Sequence, residues 1–253
     1  KFIDLGADFR LTSEEEYKQW YGLPYKDPEL HKKAVYCIPE LHRELVKDKE
    51  IIANPGCYPT SIALGLAPAV KEGIVRLQSI IIDSKSGVTG SGRGLSQTTH
   101  YPDCNEAFSP YKIASHRHTP EIEQTLAGLA GEPVQITFVP HLLPVNRGIV
   151  STIYVDLKKK MGLEEIHRRY QEFYKDERFV RVMEPGQVAN LRNVKFSNYC
   201  DISLHVDERT GRLIIVSAID NMVKGAAGQA IQNMNLLCGI DESAGLKMIP
   251  PAF

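Results

Sequence analysis

Cysteine is scarce and scattered in this chain of 253 residues: Cys37, Cys57, Cys104, Cys200 and Cys238 form no CxxC pair and no regular spacing. That excludes a disulfide framework and a cysteine-rich zinc site, and it fits a reducing cytoplasm. Charge of one sign is missing too, since 30 basic residues stand against 31 acidic ones and leave a net charge of -1 with no long block of either. General nucleic-acid or membrane-surface binding is thereby excluded, and a small-molecule ligand is expected. Apolar runs such as Ile80–Ile82 and Leu213–Val216 fall far short of the roughly 20 residues that a membrane span needs. There is no internal repeat, no low-complexity tract, no secretory or transit pattern and no initiating Met. Instead Lys1-Phe-Ile-Asp-Leu5 reads as a strand already in progress, so the chain is expected to be cut at its beginning.

What is present is a globular composition, 43% hydrophobic and 24% charged, enough for one large or two smaller domains. Ser13 and Glu16 make a capping box for a helix over 14–21 that Gly22 ends, and the Pro- and Tyr-rich segment 22–48 is expected to be irregular. Ile51-Ile-Ala53 is a short strand. It leads into the turn Asn54-Pro-Gly-Cys-Tyr-Pro-Thr60 and a helix from about Pro59 to Lys71, closed by Gly73. A strand over 75–84 empties into a loop, 87–94, with Gly87, Gly90, Gly92 and Gly94. Thr119-Pro-Glu121 opens the next helix as cap, first-turn proline and N-terminal acid. Strands follow at 134–139 and 148–157, a helix at 163–175, and strands at 178–183, 199–207 and 212–219, the last two joined as a hairpin. A small-residue helix begins at Lys224.

Cys57 carries the strongest chemical signal. A thiol just before a helix faces unpaired backbone N–H groups and the positive end of the helix dipole, which stabilise a thiolate. Cys57 is therefore expected to be the most reactive thiol. The other four cysteines lack that setting and are assigned to packing.

The turn Ile52–Thr60, the preceding Ile3-Asp-Leu-Gly-Ala-Asp-Phe-Arg-Leu11, and Tyr17–Gly22, Ala34–Leu41, Ser115–Ile122, His141–Gly148 and Asp220–Ala230 together resemble the N-acetyl-gamma-glutamyl-phosphate reductase family in order and spacing over nearly the whole chain. The resemblance implies NADPH-dependent reduction of N-acetyl-L-glutamyl 5-phosphate to the 5-semialdehyde, with release of phosphate, by a cytoplasmic enzyme of arginine biosynthesis. A cysteine thiolate would displace phosphate to give a thioester, which accepts hydride more readily than a carboxylate. Related acyl phosphates, acetylaminoadipyl or aspartyl phosphate, are the nearest alternatives. A cysteine hydrolase and a non-catalytic oligomerising fragment are the alternatives from other classes.

Proton transfer falls to His116 or His118, between which the sequence does not choose; hydrogen bonding on the phosphate side is the other reading, and no metal is expected. Arg10, Arg93, Arg117 and Arg147, with His141, are the candidate partners of the anionic substrate, Arg93 first because its glycine neighbours can form an anion nest. Gly87, Gly90 and Gly92 are expected to line the nicotinamide or phosphate side, and the resemblance implies cofactor contacts for Asn221, Lys224 and Gly225. No glycine turn follows a first strand, so the adenine half of an NADP site is expected to be missing.

The implied fold is α/β: an incomplete Rossmann-type domain from 1–56 and 221–253, and a glyceraldehyde-3-phosphate dehydrogenase-like catalytic domain over 57–220 with a mixed, mostly antiparallel sheet. One sheet face of such a domain is expected to make a homo-oligomer, a dimer or tetramer.

Overall fold

The computed structural model describes residues 1–251. Strand β1 (Phe2–Asp4) is followed by helix α1 (Glu14–Tyr21), where Ser13 Oγ accepts from Glu16 N at 3.2 Å and Gly22 turns left-handed at φ 73°. The segment expected to be irregular instead holds α2 (Pro28–Lys33), β2 (Ala34–Tyr36), α3 (Pro39–His42) and a 3-10 turn, Arg43–Val46. Its first helix has a local signal, an Asp27 cap that accepts from Leu30 N with Pro28 in the first turn. Its strand has none, because β2 gains its ladder only by lying parallel to β3 (Ile51–Ala53), which also pairs in parallel with β1.

Helix α4 runs Cys57–Lys71 and starts two residues before the expected Pro59. Gly56 is the extended N-cap, so Pro59 sits in the first turn, where its missing N–H has no partner to lose. The expected strand 75–84 is a single bridge at Val75, a 3-10 turn at Leu77–Ser79 and then β4 (Ile81–Gly87), which reaches into the glycine loop. After α5 (Tyr101–Cys104) and β5 (Ser109–Pro110), helix α6 (Thr119–Ala130) has His118 rather than Thr119 as its cap residue. The chain continues through β6 (Thr137–Leu143), β7 (Ile149–Asp156), α7 (Leu163–Phe173), β8 (Val180–Val182), β9 (Cys200–Asp207) and β10 (Arg212–Ile219). The small-residue run then opens as a π-turn, Val223–Ala227, before α8 (Gly228–Leu237).

The larger sheet has the order β5-β6-β4-β7-β10-β9-β8. Its β4–β6 and β8–β9 pairs are parallel and the rest antiparallel, so the sheet is mixed and mostly antiparallel. Strand β7 alternates buried and half-buried along its whole length, which gives one face to the helices and leaves Val150, Thr152 and Tyr154 on the other. Helix α4 lies on β7 and β10 and is buried from Tyr58 to Val70. It comes so close that a Cβ on Gly65 would stand 3.2 Å from Ile153 and 3.3 Å from Ser217. Helix α8 joins the small parallel sheet, where Leu237 packs with Cys37, Val46 and Ile52. Residues 252 and 253 of the expected first part lie outside the described residues.

Candidate active site

Strands β1 and β3 end side by side, and the chain segments leaving their carboxyl ends put Leu5, Gly6, Ala7 and Cys57 in the wall of one cleft of about 680 Å³. Crevices at such strand ends are where open α/β sheets take ligands. Cys57, the first residue of α4, opens into it, and so do His116 and His118.

The turn that carries Cys57 is clamped from two sides. On one side Glu121, fully buried, accepts from Gly56 N at 2.7 Å and from the Tyr36 hydroxyl at 3.1 Å, and pairs with Arg10 at 3.4 Å. Arg10 also donates to Asn54 O and Leu5 O, both at 2.9 Å. On the other side the π-turn lies against the cysteine, since a Cβ on Gly225 would come within 2.7 Å of Cys57 Cβ. Gly225 thus packs on Cys57 and does not border the open cleft.

The thiol is not the ready thiolate that its place on the helix suggests. Burial pushes it up to about 11, although Arg10 and the Tyr58 and Cys57 N–H groups pull the other way. Loss of water around the sulfur outweighs the helix terminus, although the residue as a whole is only half-buried. Cys238 is exposed, so of the four cysteines assigned to packing only Cys37, Cys104 and Cys200 are buried.

The two histidines have different environments. His116 Nδ1 accepts from His118 N at 3.1 Å, which leaves the proton of the neutral ring on Nε2. Its ring is enclosed edge-on by Tyr58, Tyr111 and Phe138. His118 Nδ1 is buried without a hydrogen-bond partner, and its Nε2 stands over Gly56. Burial drives both down to about 3, so both are neutral at neutral pH.

The arginine candidates separate. Arg117 lines the cleft with its guanidinium 5.3 Å from the Tyr21 ring centroid, and Lys112, which carried no signal in the sequence, lines the same cleft. Arg10 also lines the cleft, but its nitrogens are already engaged by Glu121, Asn54 and Leu5. Arg93 is exposed and does not border the cleft, because the loop carries it outward. Arg147 is held by Asp220 at 3.1 Å and lies over Phe196. His141 is on the opposite sheet face from its cleft-lining neighbour Leu142, stacked on Phe108 and 3.1 Å from Asp83; strand alternation sends it there.

Among the cofactor candidates, Gly87 and Gly90 border the cleft, while Gly92 is exposed at φ 76° with open space around it. Asn221 is buried and engaged, accepting from Gly148 N at 2.7 Å and donating to Thr89 Oγ1 at 3.1 Å. Lys224 is fully buried against Glu40 and is absent from the cleft wall. The sequence reading missed Glu121, which looked like an ordinary first-turn acid, and the Tyr58–Tyr111 hydroxyl pair at 3.0 Å.

The domain that carries Cys57 and both histidines is of the semialdehyde dehydrogenase type. The family model "Semialdehyde dehydrogenase, dimerisation domain" matches residues 57–221. Aspartate semialdehyde dehydrogenase II from Vibrio cholerae, in complex with ASA, superposes with a TM-score of 0.69 over 94% of this chain and 72% of that one, at 15% identity. The enzyme from Francisella tularensis gives 0.64 over 82% of this chain and 71% of that one, at 12% identity.

At the level of sequence, N-acetyl-gamma-glutamyl-phosphate reductase of Brachyspira hyodysenteriae is 63% identical across 100% of this chain and 74% of its own length. That of Clostridium beijerinckii is 58% identical across 99% and 73%. The chain belongs to the N-acetyl-gamma-glutamyl-phosphate reductase family. Reductases of this type use a nicotinamide cofactor. The cleft that holds Cys57 is also lined by the small residues Gly6, Ala7, Gly87 and Gly90, which suits such a group.

Proposed function

We propose that the protein reduces N-acetyl-L-glutamyl 5-phosphate to N-acetyl-L-glutamate 5-semialdehyde and phosphate, with NADPH as reductant, through a thioester on Cys57. The observation that carries this reading is the shared cleft, in which a helix-borne thiol meets two neutral imidazoles and the cations Arg117 and Lys112. In the forward direction Cys57 Sγ bonds to the acyl carbon, the C–O bond to phosphate breaks and the thiol proton leaves. His118 takes that proton, because its ring is neutral and stands over the nucleophile turn. A buried thiol with a high pKa then loses its proton in step with attack, when the base is in place.

His116 donates from Nε2 to the carbonyl oxygen, the one role that its engaged Nδ1 leaves to a neutral ring. When bound, the reduced nicotinamide supplies the hydride that converts the thioester to a thiohemiacetal, and collapse of that adduct frees the aldehyde and the thiol. Gly6, Ala7, Gly87 and Gly90 line the same cleft and would border it. Arg117, propped by the Tyr21 ring, and Lys112 hold the substrate's anionic groups. The half-buried sheet face around Val150, Thr152 and Tyr154 is the surface that makes the homo-oligomer.

The test is the reverse reaction, with semialdehyde, phosphate and NADP supplied and reduced nicotinamide followed. Turnover that needs phosphate supports the reading. Oxidation independent of phosphate, or hydrolysis without nicotinamide, contradicts it.

A further inference from the structure

Lys224 is the only lysine among the largest fully buried side chains, and it lies outside the cleft. Its Nζ donates to Glu40 Oε1 at 2.6 Å and to Gln232 Oε1 at 2.8 Å, while Gln232 Nε2 donates to the same Glu40 oxygen at 2.9 Å. Burial raises the pKa of the Glu40 carboxyl, but Lys224 and the hydrogen bonds reverse this, so it stays ionised. A buried ion pair of this kind adds little stability, because desolvating both ions offsets their attraction, and an apolar pair of similar volume often does as well. Conformational registry is the use of such pairs that is best attested.

The segment beginning at Lys224 is registered against the nucleophile. The π-turn is built from Gly225 N to Asp220 O at 3.0 Å and Ala227 N to Met222 O at 3.1 Å, an i to i−5 pattern that recurs at functional sites. Gly225, next in sequence to the lysine, is the residue on which any side chain would strike Cys57 Cβ. Ala226 O accepts from Asn54 Nδ2 at 3.2 Å, and Gln229 Nε2 donates to Thr60 Oγ1 at 2.8 Å. Three successive contacts thus bracket Cys57, and the ion pair ties their common segment to α3.

We propose that Lys224, through its buried pair with Glu40, is a positioning residue that holds the π-turn against Cys57 and so fixes the nucleophile's place in the cleft. This rests on Cys57 being the nucleophile.

Lys224→Met and the double variant Lys224→Met/Glu40→Met test it, the second because it leaves no unpaired buried charge. Two readouts are compared with the parent: iodoacetamide labelling of Cys57 as a function of pH, with exposed Cys238 as internal reference, and steady-state kinetics. A loosened back wall lets water reach the sulfur, so Cys57 labelling rises relative to Cys238. The kcat falls about tenfold, and KM for the nicotinamide is unchanged, because the loss is in placement of the reacting atom. An unchanged labelling ratio and kcat in a folded variant overturn the proposal. So does a rise in nicotinamide KM at constant kcat, which would make Lys224 a cofactor contact. Failure of both variants to fold overturns it too, since the pair would then serve the fold as a whole. The labelling does not depend on turnover, so failure here is distinguishable from failure of the thioester mechanism, which Cys57→Ser addresses.

Discussion

His118 occupies the space that a side chain on Gly56 would need: a Cβ there would lie 2.5 Å from His118 Nε2 and 2.9 Å from an Arg10 nitrogen. Glycine at position 56 is thus a steric requirement of the present place of the His118 ring. Gly56→Ala should displace the imidazole and lower kcat by about 100-fold, the scale on which misplacement of a catalytic group by about 1 Å is felt. Circular dichroism should show the fold retained, and steady-state kinetics reads the loss. An alanine variant with parental kcat would mean that His118 does not act from this position.

The unequal hydrogen bonding of the histidines predicts unequal losses. His118→Ala should lose roughly 100-fold in kcat, as expected for removal of a general base, whereas His116→Ala should lose less in kcat and raise KM. Because burial holds both near 3, neither should contribute an inflection near the usual histidine pKa in the pH profile of kcat/KM. An inflection there that disappears in one alanine variant would overturn the neutral-histidine account.

For the free protein, the thiol pushed up to about 11 sets the sign of the pH dependence. Only the thiolate alkylates, so Cys57 labelling should be slow near neutrality and climb steadily as pH approaches that value. Exposed Cys238 should label first. Rapid labelling of Cys57 at neutral pH, mapped by mass spectrometry, would show that the helix terminus does outweigh burial.

Glu121 is the joint between the histidine helix and the cysteine helix. Glu121→Gln removes the countercharge of buried Arg10 and puts an amide where Gly56 N or Tyr36 needs an acceptor. Breaking one partner of a buried pair costs about 3–5 kcal/mol, which denaturant unfolding would read directly. A loss well below that would mean that water reaches the pair.

Much of this architecture is legible in the sequence where a local cause fixes it. Ser13 and Gly22 bound α1, the 207–212 turn joins β9 to β10, and Asn54–Thr60 marks the strand-to-helix turn, each through its own capping or turn chemistry. Strand β2 is not legible, because its ladder comes from pairing with β3 and not from its own residues. Which side chains enter the cleft is also decided at a distance. His141 and Leu142 are adjacent, yet strand alternation sends them to opposite faces and only Leu142 lines the cleft. Arg147 and Lys224 look like free cations until Asp220 and Glu40 arrive from elsewhere in the chain.

The central claim is that Cys57 carries the acyl group, and it is tested most directly by supplying N-acetyl-L-glutamyl 5-phosphate without any nicotinamide. Phosphate should be released in proportion to protein, and intact-protein and peptide mass spectrometry should find the acyl group on Cys57, removable by hydroxylamine as a thioester is. Cys57→Ser should release no such burst. Phosphate release with no acyl group on Cys57, or with the acyl group on another residue, would contradict the account.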